Sequence, residues 1–172
     1  MSYLSQVKKP TPQAPVTTIV GFAGSGKSSL AGLFPSPIFI QAENATSVFE
    51  TMHEDLQPAF FPQLPIANAK RNIKTSEVLF EQLRELMTVE HGFKTVVIDS
   101  ITALNIMFEN EVVEFDDKGA SNIGEAQGGY NKGYLVVAGI HAKLRAACEH
   151  LRKRGISVVF LAHTGIVKKK NR

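Results

Sequence analysis

The stretch VTTIVGFAGSGKSS, residues 16–29, decides the fold. Val16 to Val20 are apolar or β-branched and predict a strand, Lys27 onward predicts a helix, and Gly21 to Ser28 fill the spacing G-x-x-x-x-G-K-[ST] between them. A strand that hands over to a helix through glycines has a physical use. Glycine backbone can turn its N–H groups inward around a phosphate, the helix adds the positive end of its dipole, Lys27 brings a point charge for the outer phosphate oxygens, and Ser28 brings a hydroxyl able to ligate Mg²⁺. Gly21, Phe22, Ala23, Gly24, Ser25, Gly26, Lys27, Ser28 and Ser29 are the expected holders of a nucleoside triphosphate.

Working outward, short β-rich runs alternate with helical patterns. Helix is expected from Lys27 to Phe34, a strand at Pro37 to Gln41, helix at Ser47 to Leu56, and a short strand near Pro65 to Asn68. A further helix opens at Thr75 or Ser76 as its cap, carries Val78, Leu79, Leu83, Leu86 and Met87 at helical spacing, and stops at Gly92. Thr95 to Asp99 is a continuous apolar run, as a strand buried on both faces requires. Helix from Ile101 to Phe115, an irregular glycine-bearing loop at 116–129, a long helix to about Arg154 and a last strand at Ile156 to Ala162 complete the pattern. Alternation of this kind predicts an α/β fold with a mostly parallel central sheet flanked by helices.

Composition bounds the rest. The chain has 172 residues, 44% of them hydrophobic and 20% charged, enough for one globular domain. Residues 1–15, with Pro10, Pro12 and Pro15, form an extended lead that could lay Tyr3 and Leu4 on a neighbouring protomer or simply fray, and residues 16–172 form the core. The single Cys148 offers no internal disulfide, and no Cys/His cluster has ligand spacing, which argues for a reducing cytoplasmic setting and against zinc. No apolar run reaches membrane-spanning length. The net charge is +3, with cations gathered late in the chain, among them Lys143, Arg145, Arg152, Lys153 and Arg154. Such a run is either a solvated face or the footprint of an anionic partner.

Two carboxylates suit triphosphate chemistry. Asp99 ends the VVID strand, where ligands gather in parallel sheets, and could hold Mg²⁺ or cap the following helix. Glu43 leaves the strand after the phosphate loop and could face a terminal phosphate or be a plain loop residue.

The order SPIFIQAENATSVFE, PIANAKRNIKTSEVLFEQLREL, TVVIDSITAL, ISVVFLAHT resembles the RecA-type recombinase core over roughly residues 16–166. Within that family it is most similar to the compact phage-encoded, Sak-type single-strand annealing ATPases. The resemblance implies a RecA-like P-loop NTPase that binds ATP and Mg²⁺, with Glu43 as catalytic base, Asp99 as the Walker B acid, Ser28 and Asp99 at the metal, Lys27 on the phosphates, and His163 as a γ-phosphate sensor where RecA has glutamine. It also implies single-stranded DNA as partner, a homo-oligomeric ring or filament, a single-strand binding protein as a further partner, and residence in the host cytoplasm if the chain is phage-encoded. The DNA contacts would come from residues 116–134, through Tyr130, Lys132 and Tyr134, and from Lys168, Lys169, Lys170 and Arg172, although Asp116, Asp117 and Glu125 oppose the first set. RecA-type cores continue beyond the sensor strand, so the chain is expected to be a trimmed version or a fragment. Arg152, Arg154 and Lys168 are candidates for a finger acting in a neighbouring site. Two other classes share the motif: a small-molecule or nucleoside kinase, disfavoured because 116–134 holds no arginine for a lid, and a nucleotide-switched DNA-binding module with little turnover.

Overall fold

The computed structural model describes residues 3–7, 9, 11–44 and 46–165. Five strands, β1 (Val16–Gly21), β2 (Pro37–Gln41), β3 (Ala59–Phe60), β4 (Thr95–Asp99) and β5 (Ser157–His163), form one sheet in the order β1-β5-β4-β2-β3. Every pairing is parallel. The helices are α1 (Lys27–Gly32), α2 (Thr75–Thr88), α3 (Ile101–Glu114) and α4 (Lys132–Lys153).

A parallel sheet needs cover on both faces, and alternation along the strands supplies two cores. Ile38, Ile40, Val96, Ile98 and Val158 point to the side where α2, α3 and α4 bring Leu83, Leu104, Phe108 and Leu144. Phe39, Val97, Val159 and Leu161 point to the other side, against Ala31 of α1 and Phe49. Phe39 sits 5.4 Å from Phe49 and 5.1 Å from Phe60 between ring centroids. Each such fully buried side chain contributes about 1.5–3 kcal/mol.

Three expected elements come out differently. The helix expected at Ser47 to Leu56 is two 3₁₀ turns, Thr46–Val48 and Glu54–Leu56, with bonds three residues apart such as Phe49 N–H to Thr46 O. Val48 and Leu56 stay exposed, and seating Phe49 between two other rings wins over a regular helical stripe. The strand expected near Pro65 lies upstream at Ala59–Phe60, because Pro62 and Pro65 have no N–H to extend a ladder. Asn68 instead caps a turn, accepting from Arg71 N–H at 3.0 Å.

The third difference is the cap of α2. Neither Thr75 nor Ser76 occupies that position; Lys74 does, with no side-chain cap bond. Thr75 Oγ1 donates to the Pro65 carbonyl, and Ser76 is held by the buried Glu111 of α3, which accepts from its N–H at 2.7 Å and its hydroxyl at 2.5 Å. A carboxylate from a neighbouring helix thus satisfies the start of α2. Glu111→Ala is expected to cost about 2–3 kcal/mol, since it strands two buried donors and opens a cavity; urea unfolding measures it, and a loss below the noise would refute this role.

The remaining boundaries differ by small margins. Helix α1 ends at Gly32 rather than Phe34, α2 at Thr88 before Gly92, and β5 runs Ser157–His163. The lead contains a 3₁₀ turn at Tyr3–Gln6, with Tyr3 and Leu4 exposed, and joins the core where Pro15 O accepts from Val158 N–H and Ala14 O from Arg152 Nε.

Candidate active site

All five strands run the same way, so the segments leaving their carboxyl ends meet on one rim. There Gly24, Ser25, Gly26, Lys27, Ser28, Ser29, Glu43, Asn44, Val48, Asp99 and His163 line a cleft of about 260 Å³. The loop between β1 and α1 takes its shape from Gly24 and Gly26, at φ 74° and 80°, a left-handed conformation that glycine adopts without penalty. Gly26 passes directly into the first turn of α1, whose leading amides have no intrahelical acceptor.

Lys27 is buried, and its ammonium donates to Gly21 O at 3.2 Å, Phe22 O at 2.8 Å and His163 Nδ1 at 3.3 Å. Its three protons are therefore all engaged. Gly21 and Phe22 act through carbonyls turned on Lys27; neither they nor Ala23 line the cleft, unlike Gly24 to Ser29. The Ser28 hydroxyl donates to Asp99 Oδ2 at 2.7 Å. The alternative of Asp99 as helix cap is not what the structure shows: Ser100 caps α3, accepting from Ala103 N–H at 3.1 Å.

Glu43 reaches the cleft because β2 and β4 end level, Gln41 opposite Asp99, and the Asp99 carbonyl accepts from both Ala42 and Glu43 N–H. His163 at the tip of β5 donates Nε2–H to Glu43 Oε1 at 2.8 Å. With the Lys27 ammonium at Nδ1 and the Glu43 carboxylate at Nε2, the ring completes a chain running from Lys27 through His163 to Glu43.

The two carboxylates titrate apart. Burial pushes Glu43 up, but the Ser100 hydroxyl, His163 and Lys27 outweigh it and hold Glu43 below its ordinary range. Burial pushes Asp99 above its ordinary range, and the nearby Glu43 charge adds to this against the pull of Ser28. The donor set suits a hard cation: Ser28 and Asp99 offer adjacent oxygens, and among the described residues no group of three His, Cys, Asp or Glu side chains could cage an ion alone. That matches Mg²⁺, which takes one or two protein ligands and shares the rest with phosphate and water.

None of Tyr130, Lys132 and Tyr134 lines this cleft. Their loop is braced rather than loose: Asp116 accepts from the N–H groups of Lys118, Ala120 and Gln127, and Ala126 is fully buried. Lys168, Lys169, Lys170 and Arg172 lie outside the described residues. Arg152 is bonded within the chain to the Ala14 carbonyl and Glu149, and Arg154 to the Met87 carbonyl; neither lines this cleft.

A parallel sheet with a glycine-turned phosphate loop and an acid at the tip of β4 defines a P-loop NTPase. The model of the AAA domain family matches residues 13–172, and the chain belongs to that family. No curated protein matches the chain. Among the described residues no helix is long and apolar enough to cross a membrane.

Sequence reasoning missed four residues of this neighbourhood. Asn44 and Val48 line the mouth of the cleft, and Ser100 and Thr102 support it from the start of α3. The run Asp99-Ser100-Ile101-Thr102 offered a signal, since hydroxyls in a first helical turn cap backbone donors, but which strand tip each would meet is not written in local spacing.

Proposed function

We propose that the chain binds ATP with Mg²⁺ and hydrolyses it, as a RecA-like ATPase acting on single-stranded DNA in annealing or recombination of the phage type. The convergence of Lys27, Glu43, Asp99 and His163 from four chain segments on one cleft carries the hydrolytic reading. The loop amides and Lys27 hold the phosphates, and Lys27 offsets charge developing on the terminal group. Glu43, kept ionised by its neighbours, orients the attacking water and is placed to take its proton. Ser28 and Asp99 would hold Mg²⁺, which when bound draws off phosphate charge. His163 lies beside both Lys27 and Glu43, where it would register the terminal phosphate.

The DNA reading rests on the resemblance to RecA-type cores and on Tyr130. This ring is 93% exposed, next to Lys132, on a stretch from Gln127 to Asn131 held throughout at positive φ. Left-handed backbone at a tyrosine costs roughly 1 kcal/mol or more, and the Asp116 brace on Gln127 N–H helps sustain the turn, so an aromatic ring is presented to solvent where it can stack on a base. Assembly of copies into a ring or filament and cooperation with a single-strand binding protein belong to the same proposal. Phosphate release measured with no DNA, single strands and duplex tests it. Single strands should raise the rate severalfold, and Tyr130→Ala should remove the stimulation. A rate indifferent to DNA would leave an ATPase without this partner.

A further inference from the structure

The ladder between β4 and β5 ends at the Asp99–Leu161 pair, whereas β5 runs on to His163 and stays paired with β1 through Gly21. Thr164 N–H points to β1, where Gly21 O accepts at 3.2 Å. Amides alternate sides along a strand, so the His163 N–H faces the side on which β4 has already stopped. It would be an orphan donor there. Thr102, in the first turn of α3, supplies the acceptor: its Oγ1 lies 2.9 Å from His163 N. The turn that carries Thr102 is itself anchored, with Ser100 fully buried and its hydroxyl capping Ala103 N–H, and the preceding Asp99 carbonyl holding the amides of Ala42 and Glu43. One helix start therefore references two strand tips, those bearing Glu43 and His163, to a common mount.

We propose that Thr102 is a positioning residue: its hydroxyl sets the tip of β5 so that the His163 ring stays bridged between Lys27 and Glu43. This rests on the reading of the cleft as a hydrolytic site. Thr102 touches neither Lys27 nor Glu43 through a hydrogen bond and acts through His163. A shift of a fraction of an ångström at the strand tip carries to the ring, whose two contacts span only 2.8 and 3.3 Å.

Thr102→Val keeps the branching and removes the acceptor, while Thr102→Ser keeps the hydroxyl. In the nucleotide-free protein, amide exchange at His163 should quicken at least tenfold in Thr102→Val and stay near the parent rate in Thr102→Ser. With ATP and Mg²⁺, Thr102→Val should lower kcat about tenfold with KM within about twofold, Thr102→Ser should hold kcat within about twofold, and Thr102→Val should cost nothing further in a His163→Ala background. Unchanged exchange, failure of serine to rescue, or the same loss with and without His163 would each overturn the proposal. Glu43→Gln assayed in parallel separates the readings: turnover that survives it removes Glu43 from the chemistry, whereas the Thr102–His163 coupling is scored by exchange and by the double variant.

Discussion

Glu43→Gln is expected to bind ATP as the parent does and to lose about a hundredfold or more in turnover. The substitution preserves size and an acceptor oxygen, so the His163 Nε2–H retains a partner, but the charge that orients water and answers Lys27 through the histidine is gone. Calorimetric titration and single-turnover phosphate release read the two effects separately, and turnover within about twofold of the parent would refute the assignment. The same variant has a signature in acid. Glu43 has a folded pKa below its unfolded one, so its contribution to stability is complete above the unfolded glutamate value and is lost as pH falls through the lowered folded value. Asp99 has the opposite sign: its raised folded pKa penalises the charged form at neutral pH, and that penalty fades as pH falls through the raised value. Glu43→Gln should therefore flatten the acid limb of urea midpoint against pH. It should also let Asp99 titrate closer to its ordinary value, because a neighbouring negative charge has been removed.

Lys27→Ala is expected to weaken ATP binding about a hundredfold or more, the scale of one charge-assisted anchor on a polyphosphate lost from a low-dielectric cleft. Lys27 is 7% exposed and spends its protons on Gly21 O, Phe22 O and His163. Any phosphate contact must draw at least one of those bonds away, so nucleotide arrival is felt at His163 and, through it, at Glu43. The fold should tolerate the change, losing about 1 kcal/mol, because the two loop carbonyls can turn to water. Titration with a fluorescent ATP analogue and a thermal melt distinguish the effects. Affinity within about twofold of the parent would remove Lys27 from phosphate recognition.

Some of this molecule was legible residue by residue. The G-x-x-x-x-G-K-[ST] spacing after a β-branched run located the loop, and the unbroken apolar stretch at 95–99 located the central strand to the residue. The body of α2, with Leu79, Leu83 and Leu86 at helical spacing and buried, was likewise plain. Legibility failed where tertiary contacts overrode local preference. The segment at 46–56 has residues compatible with a helix, yet Phe49 is worth more between Phe39 and Phe60 than in a helical stripe. Ser76 has the chemistry of a cap and is itself capped by Glu111, thirty-five residues away.

By itself the sequence determined the α/β alternation and the glycine-lysine loop, which depend on short-range spacing, and it singled out Lys27, Ser28, Glu43 and Asp99 as candidates, Glu43 through the resemblance to RecA-type cores. Only the tertiary structure decided the strand order β1-β5-β4-β2-β3, the placing of Glu43 against His163, and the acceptor that Thr102 offers to the tip of β5. Those are meetings of residues far apart in the chain, 120 positions for Glu43 and His163, made where parallel strands of unequal length end on a common rim, and no local pattern records where one strand stops relative to its neighbour.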